Sequence, residues 1–322
     1  LKGIDTGIMD EPKFSVFVRD YHPPESDIGR IPGKWRYEEG WPIKRTQHTP
    51  MYAGADGSLS STLAKPDVHT LDYKASIGLE GGGPVMWWGS VPPDQQPMDD
   101  HSLVYDSAPL DAPLEILGRP RAFLSVSATA SRANWIVRVS DVAPDGRVTQ
   151  VGGAAFNGTH RNSARSPQDI VPGEVFPLEI NMHFTSWVFP KGHKIRLAVS
   201  NAMWPMLWPT PYPMSTALVI GGEGGARVDL PVIPDGASPA SKYPAPVYEV
   251  PGDDPSLPGF GTIDAGNVTG YAEIDTIHYD KETGQSYGYA RDATASRFPW
   301  GTERFEEEME HRTSDTDPAH SS

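Results

Sequence analysis

The sequence predicts an all-β protein, a jelly-roll β-sandwich with a C-terminal β-hairpin extension. Gly supplies 32 and Pro 33 of the 322 residues, about twice their ordinary combined share, so the chain is rich in turn formers. Yet 38% of residues are hydrophobic, with 9 Trp, 12 Tyr and 10 Phe, far more apolar surface than a disordered chain carries. Between the turn formers lie short runs of β-branched and aromatic residues, and no segment carries the apolar stripe of an amphipathic helix. A chain of this length can bury roughly three quarters of the surface exposed when unfolded, enough for a sizeable core.

The first strand lies within Pro12–Val18, where Phe14, Val16 and Val18 share one face. Trp35 and Trp41-Pro42 follow in a loop-rich stretch, and residues 51–98, dense in Gly, Pro, Asp and Ser, read as long ordered connections. Regular strands begin at Leu103–Tyr105 and continue through Leu114–Leu117, Ala122–Ser127 and Trp135–Val139. Ala143-Pro144-Asp145-Gly146 has Pro second and Gly fourth, which suits a type I turn. Further strands are expected at Val175–Ile180, Thr185–Phe189, Lys194–Val199, Leu218–Ile220 and Val228–Leu230. A Pro/Ser-rich connector runs from Pro234 to about Pro258. Beyond it, Tyr271–Tyr279 and Gln285–Ala290 flank a turn at Asp280–Gly284, a hairpin pattern. Residues 302–313, with Glu306-Glu307-Glu308, fit either a strand or a short acidic helix.

The formal net charge is −15, without a Lys/Arg cluster; that field repels a phosphate backbone, so no nucleic-acid partner is expected. The absence of Cys removes disulfides, thiolate nucleophiles and Cys-ligated metals, and it favours a reducing, cytoplasmic setting. No apolar run approaches the roughly 20 residues that span a bilayer and no signal-peptide pattern is present, so no membrane partner is expected. The chain opens on Leu1 and not on Met, as a fragment, an excised domain or a processed chain does.

One literal nucleophile-elbow pattern occurs, Gly284-Gln285-Ser286-Tyr287-Gly288. An elbow needs an apolar strand before the Ser and a helix after it, whereas here a polar turn precedes and a hairpin strand follows. Only 34 residues remain after Gly288, too few for the Asp and His partners, so no catalytic residue is assigned. The ten His residues are scattered without metal-ligand spacing, and His193, between a turn and a strand, reads as a structural hydrogen-bonding residue. Asp99-Asp100 and Asp253-Asp254 are at most surface cation contacts, and no metal or cofactor is expected. Asp141, on the strand that carries Arg138, is expected to act as a brace, accepting hydrogen bonds from backbone or from Arg161. The stiff apolar run Trp204-Pro205-Met206-Leu207-Trp208-Pro209-Thr210-Pro211-Tyr212-Pro213 either packs on its own sandwich or forms a docking surface for another domain.

Several ordered motifs resemble the C-terminal non-catalytic domain of the cocaine esterase and Xaa-Pro dipeptidyl-peptidase (CocE/NonD-type) serine hydrolases. They are Gly82-Gly83, Asp94-Gln95, Asp100–Leu110, Leu114–Gly118, Trp135–Gly146, Arg161, Pro172-Gly173, Phe189–Leu197 and Leu230-Pro231-Val232, in an order and spacing spread over about 150 residues. The resemblance implies a galactose-binding-like jelly roll over residues 12–234, a junction at 1–11 with an α/β-hydrolase domain that carries the Ser, Asp and His triad, and a connector plus truncated β-extension over 235–322. It implies that Met86 and Trp87, after the Gly-Gly pair, line the acyl pocket, with a small ester or peptide as substrate and the hydrolase domain of the same polypeptide as partner. Two other readings of the residues stay open. One is a free-standing carbohydrate-binding module, which exposed Trp35, Trp87 or Trp204 in a flat platform would favour. The other is a purely structural accessory domain.

Overall fold

The computed structural model describes residues 3, 7–25, 31–81, 93–234, 278–298 and 300–322. In chain order the strands are β1 (Phe14–Arg19), β2 (Gly33–Glu38), β3 (Gln47–Ala53), β4 (Leu59–Ser60), β5 (Asp67–Asp72), β6 (Leu103–Asp106), β7 (Leu114–Gly118), β8 (Arg121–Ala128) and β9 (Asn134–Val142). They continue with β10 (Val148–Asn157), β11 (Phe176–Asn181), β12 (Thr185–Phe189), β13 (Lys194–Ser200), β14 (Ser215–Ile220), β15 (Arg227–Val232), β16 (His278–Asp280), β17 (Gln285–Phe298) and β18 (Gly301–Ser314). A single turn of α-helix, α1 (Gln96–Asp99), precedes β6.

The named strand pairs are all antiparallel. One sheet runs β10–β9–β13–β6, and a larger one runs β12–β7–β15–β8–β14–β5 with β11 on β8 and β3 on β15. The core lies between them. On β8 every second side chain is buried, the period expected of a strand with one covered face. Its Leu124 and Val126 join Leu178 and Ile180 of β11 and Leu218 and Ile220 of β14. Trp135, Val137 and Val139 of β9 and Ile195, Leu197 and Val199 of β13 complete that cluster from the facing sheet.

β9 departs from simple alternation, being buried along both faces. Its outer face carries Ile136, which packs with Ile77, Met98, Ala202 and Met203, and the charged Arg138. α1, the segment around Ile77 and the chain after β13 therefore cover this sheet from outside, and charged outer residues need partners within the protein.

Some expectations need correction. Residues 51–98 are not only connections: β3, β4 and β5 fall in or beside them, and α1 supplies a helical turn. Pro50 within β3 hid that strand, since Pro removes a ladder donor; β3 nonetheless pairs with β15, placing Pro50 opposite Asp229. β10 was hidden by Gly152-Gly153, where a bulge shifts the register between Gln150 and Gly152. A Cβ on Gly153 would meet the Val137 carbonyl at 2.9 Å, so glycine is required for that close approach. Residues 302–313 belong to a strand, β18, and β17 continues past Ala290 to Phe298. The expected hairpin turn is present, with Gly284 at φ +66°, while Tyr271–Ile277 lie outside the described residues.

The extension is tied to the sandwich at its foot. Asp315 accepts from Ser76 N (2.9 Å), Ser76 Oγ (3.1 Å) and Tyr279 Oη (2.8 Å), and Lys74 Nζ lies 4.2 Å from the centre of the Tyr279 ring.

Candidate functional site

Met86 and Trp87 lie outside the described residues, between Gly81 and Pro93. What holds their flanks is visible. The Gln95 amide, fully buried, donates to the Gly81 carbonyl at 3.2 Å and to the Pro93 carbonyl at 2.8 Å. One side chain thus straps together the chain leaving Gly81 and the chain returning at Pro93. Asp94 adds a second fastening: its Oδ1 accepts from Gln96 N and from Val148 N, both at 3.0 Å, which joins the start of α1 to β10.

The strap is anchored in charge. Gln95 Oε1 accepts from Arg138 Nη1 at 2.9 Å, and Arg138 Nη2 forms an ion pair with Asp99 Oδ1 at 2.7 Å, both side chains essentially inaccessible. Asp99 Oδ2 pairs with Arg196 Nη1 at 3.0 Å, and Arg196 grips Asp106 through two bonds of 2.7 and 2.9 Å. Burial pulls the Arg138 guanidinium below its ordinary value while Asp99 pushes it back up. Asp99 is accordingly no surface cation contact, a correction to the sequence reading; two guanidinium groups already occupy both of its oxygens. Asp253-Asp254 lie outside the described residues.

A second buried charge sits on the inner face of β9. Asp141, with no exposed surface, accepts from Trp187 Nε1 at 2.8 Å and from His193 Nδ1 at 2.7 Å. It is a brace, but not the one expected: Arg161 instead donates to the carbonyls of Gly158, Gln168 and Asp169. His193 is the structural residue that the sequence indicated. Burial raises the Asp141 carboxyl above the usual carboxylate range, against the downward pull of those two hydrogen bonds. His22 stacks edge-on against Trp187 at 5.0 Å, and burial depresses its imidazole.

The apolar run divides. Trp204 is buried, 1% exposed, with the His311 ring of β18 edge-on at 5.8 Å. The extension therefore covers the start of the run, which is neither wholly packed on its own sandwich nor one continuous docking surface. Trp208, at 65%, and Tyr212 stay exposed. Trp204 cannot belong to a sugar-stacking platform, and Trp35 meets Phe17 at an interplanar angle of 60°; Trp87 lies outside the described residues.

Ser286 lies within β17, its backbone opposite Tyr279 and Thr313. Its hydroxyl is buried and has no hydrogen-bond partner among the described residues, so no base is hydrogen-bonded to it as an activated nucleophile requires. The Asp317–His320 pair, 2.7 Å between Oδ2 and Nδ1, lines the same pocket but makes no hydrogen bond to that hydroxyl. Among the described residues no group of three or more His, Asp or Glu side chains could hold a metal, and no helix is long and apolar enough to cross a membrane.

Comparison with known proteins gives a consistent picture. Residues 6–221 match the family described as the X-Pro dipeptidyl-peptidase C-terminal non-catalytic domain. Cocaine esterase of Rhodococcus sp. is 30% identical over 220 residues, 64% of this chain and 36% of that protein. A Mycobacterium bovis protein assigned as a serine esterase is 28% identical over 258 residues, 72% of this chain and 39% of that one. The chain thus spans 36–39% of the length of these curated relatives. Among solved structures, an aminopeptidase from a marine-sediment Thaumarchaeota archaeon superposes with a TM-score of 0.56 at 22% identity, over 62% of this chain and 39% of its own. A CocE/NonD family hydrolase from Staphylococcus aureus gives 0.55 at 14% identity, over 72% and 43%. At those identities the likeness is one of fold.

Proposed function

The chain belongs to the X-Pro dipeptidyl-peptidase C-terminal non-catalytic domain family, and from that premise we propose that it is the accessory domain of an ester- or Xaa-Pro-peptide-cleaving serine hydrolase, packing on the α/β catalytic domain of the same polypeptide and lending Met86 and Trp87 to one wall of the acyl pocket. The implied chemistry is acyl transfer, with Ser attack, His as general base and an oxyanion hole supplied by the catalytic domain. This chain contributes shape and water exclusion at the acyl group.

The Gln95 strap carries the reading. An apolar pocket wall discriminates substrates only if its position is fixed to a fraction of an ångström, and the strap ties both flanks of the Met86–Trp87 segment to a buried ion-pair network.

In the two-domain enzyme, Trp87→Ala is expected to lower turnover of bulky acyl esters by roughly ten-fold or more while sparing acetyl esters, because only the larger group reaches that wall. Parallel kinetics on benzoyl and acetyl esters of one alcohol test this. Equal losses on both esters contradict the pocket role.

A further inference from the structure

Resting on that reading, we propose that Asp315 of the C-terminal extension is a positioning residue for the acyl-pocket wall. It holds the chain that leads from β5 towards Met86 and Trp87 in sequence, so the extension sets the preference for bulky acyl groups.

The stem of that segment, residues 73–81, is a succession of tight turns. Ile77 N donates to the Lys74 carbonyl at 3.2 Å, Gly78 N to Glu80 Oε2 at 3.2 Å and Gly81 N to the Gly78 carbonyl at 3.0 Å. Ala75, Ser76, Ile77 and Leu79 are buried. So compact a path has little slack. A shift at Ser76 is passed on to Gly81, where the Gln95 strap takes hold.

Ser76 is only 1% exposed, so its polar groups need partners within the protein. Among the described residues, its N–H and its hydroxyl both find their acceptor in Asp315, 239 residues along the chain. A buried donor that loses its acceptor is costly, so without the Asp315 carboxylate the stem re-settles to find another. Asp315 is in turn placed by the extension. Its N–H donates to the Gly284 carbonyl at 2.8 Å in the β16–β17 turn, and Tyr279 Oη of β16 donates to the same Oδ2 that takes the Ser76 hydroxyl.

The next stem residue is held from the extension as well, through an intermediary. The Ile77 carbonyl accepts from Trp204 N at 2.6 Å, and His311 of β18 backs the Trp204 ring. A Cβ on Gly78 would meet the Met203 carbonyl carbon at 2.7 Å, so the stem and the chain bearing Trp204 approach closely. Ser76 and Ile77 are thus fixed together, one directly by Asp315 and one through Trp204.

Kinetics of the two-domain polypeptide on benzoyl and acetyl esters of one alcohol test the assignment. Asp315→Ala is expected to lower the benzoyl-to-acetyl ratio of kcat/KM by roughly five- to ten-fold, because the wall is displaced while the reacting centre is not. Asp315→Asn, which keeps an oxygen for Ser76 N, is expected to restore most of that ratio. The rate of labelling by a serine-reactive fluorophosphonate should stay unchanged in both variants. In a Trp87→Ala background, Asp315→Ala should leave the ratio where it is, since the wall it positions is gone. If Asp315→Ala does not fold, Ser76→Ala, which removes only the hydroxyl contact, is expected to move the ratio the same way by about two-fold. An unchanged ratio, or equal losses on both esters, overturns the assignment, as does a further fall in the Trp87→Ala background. With a selective loss in Trp87→Ala alone, the pocket reading stands and only the role of Asp315 falls. Equal losses in Trp87→Ala overturn both.

Discussion

Asp99→Ala is expected to destabilise the chain by about 3–5 kcal/mol, because it leaves Arg138 charged, buried and paired only with neutral groups. Arg138 retains Gln95 Oε1 and Ser102 Oγ (3.1 Å), neither of which offsets a guanidinium taken out of water. Arg196 suffers less, since both bonds to Asp106 survive. In a chain of this size the loss corresponds to a fall in Tm on the order of 10 °C. Pairing Asp99→Leu with Arg138→Met removes both charges, so the double variant should cost less than the sum of the single ones. Denaturant titrations of the four proteins measure the coupling. A loss below about 1 kcal/mol for Asp99→Ala contradicts the view that this pair anchors the outer layer.

The second large effect is at Asp141. Asp141→Ala removes the acceptor for both the Trp187 indole and the His193 imidazole, stranding two buried donors at about 1–3 kcal/mol each. Asp141→Asn keeps one oxygen and should cost less. The pH dependence has a defined sign. Because burial holds the folded Asp141 carboxyl above its ordinary value, its contribution is fully present below the unfolded pKa of 3.8 and is lost as pH rises through the folded value. His22 acts oppositely: its folded pKa is depressed below 6.5, so its contribution is present above 6.5 and is lost as pH falls through the folded value. Melting curves between pH 4 and 8 should therefore show an acid limb that His22→Gln flattens. An unchanged limb in that variant contradicts the His22 assignment.

Much of this was legible in the sequence because the sandwich strands alternate. β8 and β13 read directly from Ala122–Ser127 and Lys194–Val199, where one side of each strand must be apolar. β3 and β10 did not, since Pro50 and Gly152-Gly153 carry turn signals that cross-strand pairing and a bulge override. The partners of the buried charges were hidden for a different reason. Asp141 invited a guanidinium, but the register that sets Ile195 opposite Asp141 brings His193 to it, and Trp187 arrives from the facing sheet, 46 residues along the chain. Asp99 looked like a surface acid beside Asp100; only the path of the chain over β9 buries it. Gln95 belonged to a recognisable motif, yet its role as a strap depends on Gly81, 14 residues earlier, returning to its side.

The proposed function places the catalytic serine in the upstream domain and not in this chain. It is tested by treating the purified chain and the two-domain polypeptide with a serine-reactive fluorophosphonate, alongside assays on p-nitrophenyl esters and Pro-linked anilides. The expected outcome is labelling and turnover in the two-domain polypeptide only, with the label upstream of this chain, unaffected by Ser286→Ala. Labelling at Ser286, or turnover by the isolated chain above a buffer blank that Ser286→Ala abolishes, contradicts it.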